Sequence, residues 1–82
     1  MAKINARGAR PIARANRTFT LEDGTVITQQ RVLCSDGRIL QREAFRDPDG
    51  HRHATGYRRI GKTIAIKDSW LVAQVANGWK AE

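Results

Sequence analysis

Three Asp-Gly pairs recur at equal intervals in this chain: Asp23-Gly24, Asp36-Gly37 and Asp49-Gly50, each thirteen residues from the next. Asp-Gly favours a tight hairpin turn, because a two-residue type I′ loop needs positive φ at both central positions. Equal spacing of such turns predicts a meander of antiparallel strands of similar length. The interval is too short for a solenoid repeat, and the segments between the turns are dissimilar in sequence.

The strands follow from the turns. Phe19 and Leu21 alternate with Thr18 and Thr20, which predicts a first strand from Arg17 to the Asp23-Gly24 turn. Val26 to Cys34 reads as a second strand, rich in β-branched residues, and Arg38 to Arg46 as a third. His51 to Ile60 reads as a fourth with a bulge at Gly56, and Thr63 to Ile66 as a short last run. The apolar period then shifts from two to 3.6. Asp68 or Ser69 offers an N-cap, Trp70 to Ala76 a short helix, and Asn77-Gly78 a C-cap after which Trp79 folds back. A helix this apolar needs cover, and the sheet is the available cover, so Trp70, Leu71 and Val75 are expected to be buried. The expected fold class is mainly β (α+β): an antiparallel meander of four or five short strands with one C-terminal helix packed on the sheet.

Charge divides the chain in two. Fifteen Lys and Arg against eight Asp and Glu give a net charge of +7 over 82 residues. Residues 1–17 hold Lys3, Arg7, Arg10, Arg14 and Arg17 and no acid, so most of the excess sits at one end. With Gly8 and Pro11 and little apolar content, residues 1–16 read as a flexible basic arm, and residues 17–82 as one small domain. A balance this basic favours polyanionic partners. The bland alternative is a solvated surface in an arginine-rich protein. No apolar run is long enough to span a bilayer, so no membrane contact is expected. The single cysteine, Cys34, rules out an intrachain disulfide and fits a reducing cytoplasm.

The Asp36-Gly37 hairpin can be registered from its turn. A two-residue loop places Ser35 opposite Arg38, Cys34 opposite Ile39, Val32 opposite Gln41 and Arg31 opposite Arg42. Like charges opposed across a ladder cost stability, and a polyanion would relieve them. Arg46, Arg52, Arg58 and Arg59 carry the positive character into the next hairpin, with Tyr57 among them. Arginine grips phosphate and an aromatic ring stacks on a base. The candidate nucleic-acid contacts are Arg7, Arg10 and Arg14 from the arm, with Arg31, Arg42, Arg52, Tyr57 and Arg58 from the sheet. A single surface aromatic is fewer than a single-strand or RNA platform uses, which favours duplex DNA over RNA.

Two resemblances bear on the same reading. Arg7-Gly8-Ala9-Arg10-Pro11 is similar to an AT-hook core, with Ala9 inserted between the glycine and the second arginine. Arg46-Asp47-Pro48-Asp49-Gly50, the strand that follows to Ile60, and the Lys67-Asp68-Ser69-Trp70 helix start resemble the three-stranded-sheet-plus-helix DNA-binding domains of integrase arm-binding segments and AP2-type factors. That likeness covers about half the chain, after two added strands, and implies a sheet entering the major groove.

Nothing in the sequence reads as an active site. The carboxylates cluster in turns, where their local role is turn formation. Cys34, His51 and His53 are too few for a structural zinc site, and no Cys-x-x-Cys partner exists, so neither metal nor cofactor is expected. The expected function is a small, non-enzymatic, nucleic-acid-binding regulatory or accessory protein. The alternative is a phage-type modulator or inhibitor that docks on an acidic surface of a host enzyme or defence complex, an analogy of size and style.

Overall fold

A computed structural model describes residues 9–64 and 66–82. The described residues form one antiparallel sheet with a single helix on one face. The elements are β1 (Pro11–Thr20), β2 (Val26–Cys34), β3 (Arg38–Arg46), β4 (Arg52–Ala54), β5 (Arg58–Lys62), α1 (Lys67–Ala76) and β6 (Lys80–Ala81). The strand order is β4-β3-β2-β1-β6, and β5 also pairs with β3. The mainly β class and the helix packed on the sheet are as expected, with six strands where four or five were expected.

The first strand starts earlier than the sequence suggests. β1 begins at Pro11, so residues 11–16 belong to the sheet and not to an arm. Arg10 is already tied down: its N–H donates to Ser35 Oγ, and its carbonyl accepts from Ser35 N–H. The physical reason is Ala13 and Ala15, which are buried beneath Trp70 and Trp79. Only small side chains fit under two indoles, so residues 13 and 15 of β1 carry alanine and not the large apolar residues that mark a strand in sequence. Residues 1–8 of the expected arm lie outside the described residues.

All three Asp-Gly turns share one geometry, and it is one residue longer than a type I′ loop. Gly37 N–H donates to Cys34 C=O at 2.9 Å, and Gly37 takes φ of 89°. Gly24 to Leu21 and Gly50 to Asp47 repeat the pattern. The glycine alone is left-handed, and the loop has three residues, the hairpin form in which a turn is followed by a left-handed bulge residue. Asp23 and Asp36 accept the N–H groups of Thr25 and Arg38, which holds both carboxyls below their ordinary pKa.

The extra loop residue moves the register by one. Leu33 pairs with Ile39, Val32 with Leu40, Arg31 with Gln41, and Gln30 with Arg42. Arg31 therefore does not oppose Arg42; a one-residue slip sends a side chain to the other face of the sheet.

The fourth strand is split. β4 and β5 lie end to end along the free edge of β3, pairing with its C-terminal and N-terminal halves. Between them Thr55 N–H donates to Glu43 C=O, and Glu43 N–H donates to Thr55 Oγ1, so the ladder is bridged across the gap. Residues 63, 64 and 66 are not strand.

The helix starts at Lys67, with Ile66 as a cap that makes no side-chain bond; Asp68 sits in the first turn and Ser69 Oγ donates back to Ile66 C=O. The C-terminal end is a Schellman motif: Trp79 N–H donates to Gln74 C=O and Gly78 N–H to Val75 C=O. That turn swings Trp79 onto the sheet, where it is 4 % exposed. Trp70 is buried as expected, but Leu71 is only half-buried and Val75 is 54 % exposed, because the fold-back puts Trp79 and Gln74 on the inner side instead. β6 then pairs with β1 at Ala15 and Asn16.

Candidate nucleic-acid interface

Strand alternation sorts the arginines onto two faces with different fates. On the helix face, Ala15, Arg31 and Gln41 lie in one cross-strand row, and Arg17, Gln29 and Glu43 in the next. Arg31 Nε donates to Gln41 Oε1 at 2.7 Å, and its Nη1 donates to Gln74 Oε1 at 2.9 Å. Arg17 donates to Gln29 Oε1, and Gln29 donates to Glu43. Both guanidinium groups lie over Trp79, at 4.6 Å for Arg17 and 4.2 Å for Arg31. Burial, followed by the charge of Arg17, lowers the pKa of Arg31. The like-charge pair of this protein's interior is thus Arg17 with Arg31. It is held by glutamines and an indole, Glu43 accepting from Gln29 and Gln41, and its two guanidiniums are already engaged.

The opposite, outer face is different. It carries Arg14 on β1, Arg42 and Arg46 on β3, Arg52 on β4 and Arg59 on β5, all exposed. Among the described residues, no strand position of this face is a carboxylate. Glu82, just past β6, accepts from Asn16. Arg46 stands directly opposite Arg52 across the β3–β4 ladder, and neither makes an ion pair among the described residues. This is a cross-strand like-charge pair of the kind the sequence suggested at Arg31 and Arg42; Arg38 opposite Lys62 is another, with Arg38 paired to Asp36.

Beside that pair the sheet is concave. A groove of about 430 Å³ is lined by Val26, Thr28, Ala44 and Ala54, with Arg46, Arg52, Phe45 and His53 around it. Small side chains make its floor, and the two arginines make its charged wall. Further along the face, Arg42 donates from Nε to Gln30 Oε1 at 2.6 Å and lies 5.4 Å from the centre of the Tyr57 ring. Tyr57 packs on a small cluster of Val32, Cys34 and Leu40. Cys34 is a free, buried thiol; burial is the first cause that raises its pKa and the Asp36 charge the second, which favours the protonated form.

The structure brings Arg14, Arg42, Arg52 and Tyr57 onto the outer face. Arg7 lies outside the described residues. Arg10 is anchored to Ser35. Arg31 is on the helix face. Arg58 opposes Gln41 and so points to the helix side, whereas Arg59, opposite Leu40, takes the outer side. Arg46 and Arg59 are the additions, and the correct register was the signal that would have found them.

The two resemblances do not extend to the fold. Pro11 is in a strand and Ala9 is buried, so the AT-hook-like segment ends inside the sheet. The helix packs mainly over β1 and β6, with only Ile39 of β3 reaching its cluster, so residues 38–76 do not form a separate three-stranded unit with its own helix. On the β3–β4 turn, ligand atoms of Asp47, Asp49 and His51 lie within 4.8 Å of one another. His51 pairs with Asp49 at 3.1 Å and His53 with Asp47 at 3.4 Å. Among the described residues, no helix is long and apolar enough to cross a membrane. Comparison with protein-family profiles, with curated proteins and with solved structures finds no match to this chain.

Proposed function

We propose that the protein binds nucleic acid, duplex DNA in preference to RNA, by laying the outer face of its sheet against the phosphate backbone as a regulatory or accessory factor. The observation that carries this reading is Arg46 opposed to Arg52 on a face whose strands hold no carboxylate. Two exposed guanidiniums held side by side repel each other until an anion sits between them. Phosphate accepts several N–H bonds and supplies that charge. Arg14, Arg42 and Arg59 extend the positive track across the sheet, and Tyr57, with Arg42 over it, offers one stacking surface. One aromatic ring suits backbone tracking on a duplex better than a single-strand platform. The activity is occupancy of a polyanion and not catalysis.

A second reading draws on a different observation. Ile66, Val72 and Val75 are exposed on the far side of α1. Exposed aliphatic groups near a basic sheet also suit a protein partner with an acidic surface and an apolar centre, such as a host enzyme or defence complex.

Titrating random-sequence duplex DNA across a salt series separates the two. Log K is expected to fall with log salt at about −0.9 per phosphate contacted. Arg46→Gln with Arg52→Gln is expected to make that slope shallower by roughly one to two. Val72→Ser with Val75→Ser should leave it unchanged. Absence of salt-dependent binding to duplexes and to RNA, even at low salt, would falsify the nucleic-acid reading. Capture of an acidic protein that is lost with the two valines would then establish the second.

A further inference from the structure

One edge of the sheet is open, and its sequence is self-complementary. Arg14 C=O accepts from Glu82 N–H, so the backbone polar groups of Arg14 point away from β2 toward β6. By alternation, Asn16, Thr18 and Thr20 point the same way. β6 reaches only Ala15 and Asn16 and covers nothing beyond them. The N–H and C=O groups of Thr18 and Thr20 therefore face outward with no strand beside them among the described residues.

The usual protections of such an edge are missing at this point. Residues 17–20 contain no proline, no lysine and no bulge. The one charge, Arg17, is drawn over the Trp79 ring on the helix face. An apolar row also runs up to this edge. Phe19, Ile27 and Phe45 are cross-strand neighbours on β1, β2 and β3, beyond the part of the face that the helix covers. Phe19 ends the row at the open edge and is 39 % exposed.

We infer that this edge pairs with the same edge of a second copy, forming a two-fold dimer with one continuous sheet. The local sequence Thr18-Phe19-Thr20 reads the same in both directions. An antiparallel pair centred on Phe19 sets Thr18 opposite Thr20 of the other copy, twice. These are the residues whose backbone groups point outward, so both pairs are hydrogen-bonded. Phe19 then meets its counterpart in a non-hydrogen-bonded pair, where side chains approach most closely. The apolar row of one copy continues into that of the other. Arg17 falls opposite Leu21, so no like charges are opposed. β1 ends at Thr20, so the incoming strand turns away as it reaches β6. A two-fold axis normal to the sheet puts both helices on one side and both arginine faces on the other. An isologous contact of this kind closes on itself and builds no fibre. A second copy fits better than an unrelated strand, because the registry and the Phe19 contact both come from the symmetry of the segment.

Sedimentation equilibrium of the full chain, without nucleic acid and over a wide concentration range, tests the inference. A reversible dimer is expected. Thr20→Pro removes an N–H that the folded monomer leaves unpaired, and is expected to yield a folded monomer. A wild-type protein that stays monomeric throughout overturns the inference. So does a folded Thr20→Pro variant that dimerises as strongly as wild type. Should that variant fail to fold, amide exchange on wild type decides. Thr18 and Thr20 amides that slow with rising protein concentration support the pairing, and fast exchange at every concentration refutes it.

Discussion

Arg31 shows how much a single residue's role depends on its face. Placed opposite Arg42 it would be a solvent-facing liability; in the fold it satisfies two buried glutamines and lies over Trp79. Gln41 and Gln74 are buried, and among the described residues every buried side-chain nitrogen and oxygen has a partner. Removing the guanidinium leaves two amide oxygens without that donor. An unsatisfied buried polar group costs about 1–3 kcal/mol, so Arg31→Ala is expected to lower the unfolding free energy by roughly 2–4 kcal/mol. Arg42 is exposed, and Arg42→Ala should stay within about 0.5 kcal/mol of wild type. Urea denaturation midpoints measure both, and equal midpoints for the two variants would contradict the network. The glutamines were invisible as core residues in the sequence, since Gln is mostly a surface residue. Nothing short of the register shows that Gln29 and Gln41 share a face with Arg17 and Arg31, the arginines they bind.

At the scale of elements, the turns and the helix end are where local sequence speaks most directly. Gly37 and Gly78 both take left-handed φ, 89° and 90°, but differ in surroundings. A Cβ at Gly78 meets nothing, so Gly78→Ala should cost only the backbone penalty of about 1–2 kcal/mol. A Cβ at Gly37 would collide with the Thr63 carbonyl oxygen, a backbone atom, so Gly37→Ala should cost clearly more. Thermal melts of the two variants check the order, and a Gly37→Ala protein at least as stable as Gly78→Ala would show that the contact yields easily. The positions of β2, β3 and the helix C-cap were legible because Asp-Gly and Asn-Gly mark chain reversals by a local mechanism. The length of each loop was not, because the same dipeptide serves a two-residue and a three-residue hairpin. That one residue decides which arginines share a face. β1 before Arg17 was illegible for another reason: its core positions are Ala13 and Ala15, chosen by the indoles above them and not by strand propensity.

For the molecule as a whole, the sheet separates two groups of positive charge. The inner group, Arg17 and Arg31, is engaged by glutamine side chains and the Trp79 ring, with Glu43 bonded to Gln29 and Gln41. The outer group faces water and adds self-repulsion to a chain of 82 residues with a net charge of +7. A domain this small has little stability to spare, so that repulsion should be visible in its melting. Exposed charges a few ångströms apart are screened by ordinary salt, since the Debye length falls to about 3 Å at 1 M. The melting temperature of the free protein is therefore expected to rise as sodium chloride is added. Arg46→Gln with Arg52→Gln removes a directly opposed pair whose cost is about 0.2–1 kcal/mol. The double variant should melt higher than wild type at low salt and gain less from added salt, so that the two curves converge. Salt-independent melting of both proteins, or a double variant less stable than wild type at low salt, would mean that the pair is compensated within the fold and that no anion is needed between the two guanidiniums. Convergence, together with loss of duplex binding in the same variant, would tie one pair of side chains to opposite effects on folding and on binding, as expected of charges positioned for a partner and not for the fold.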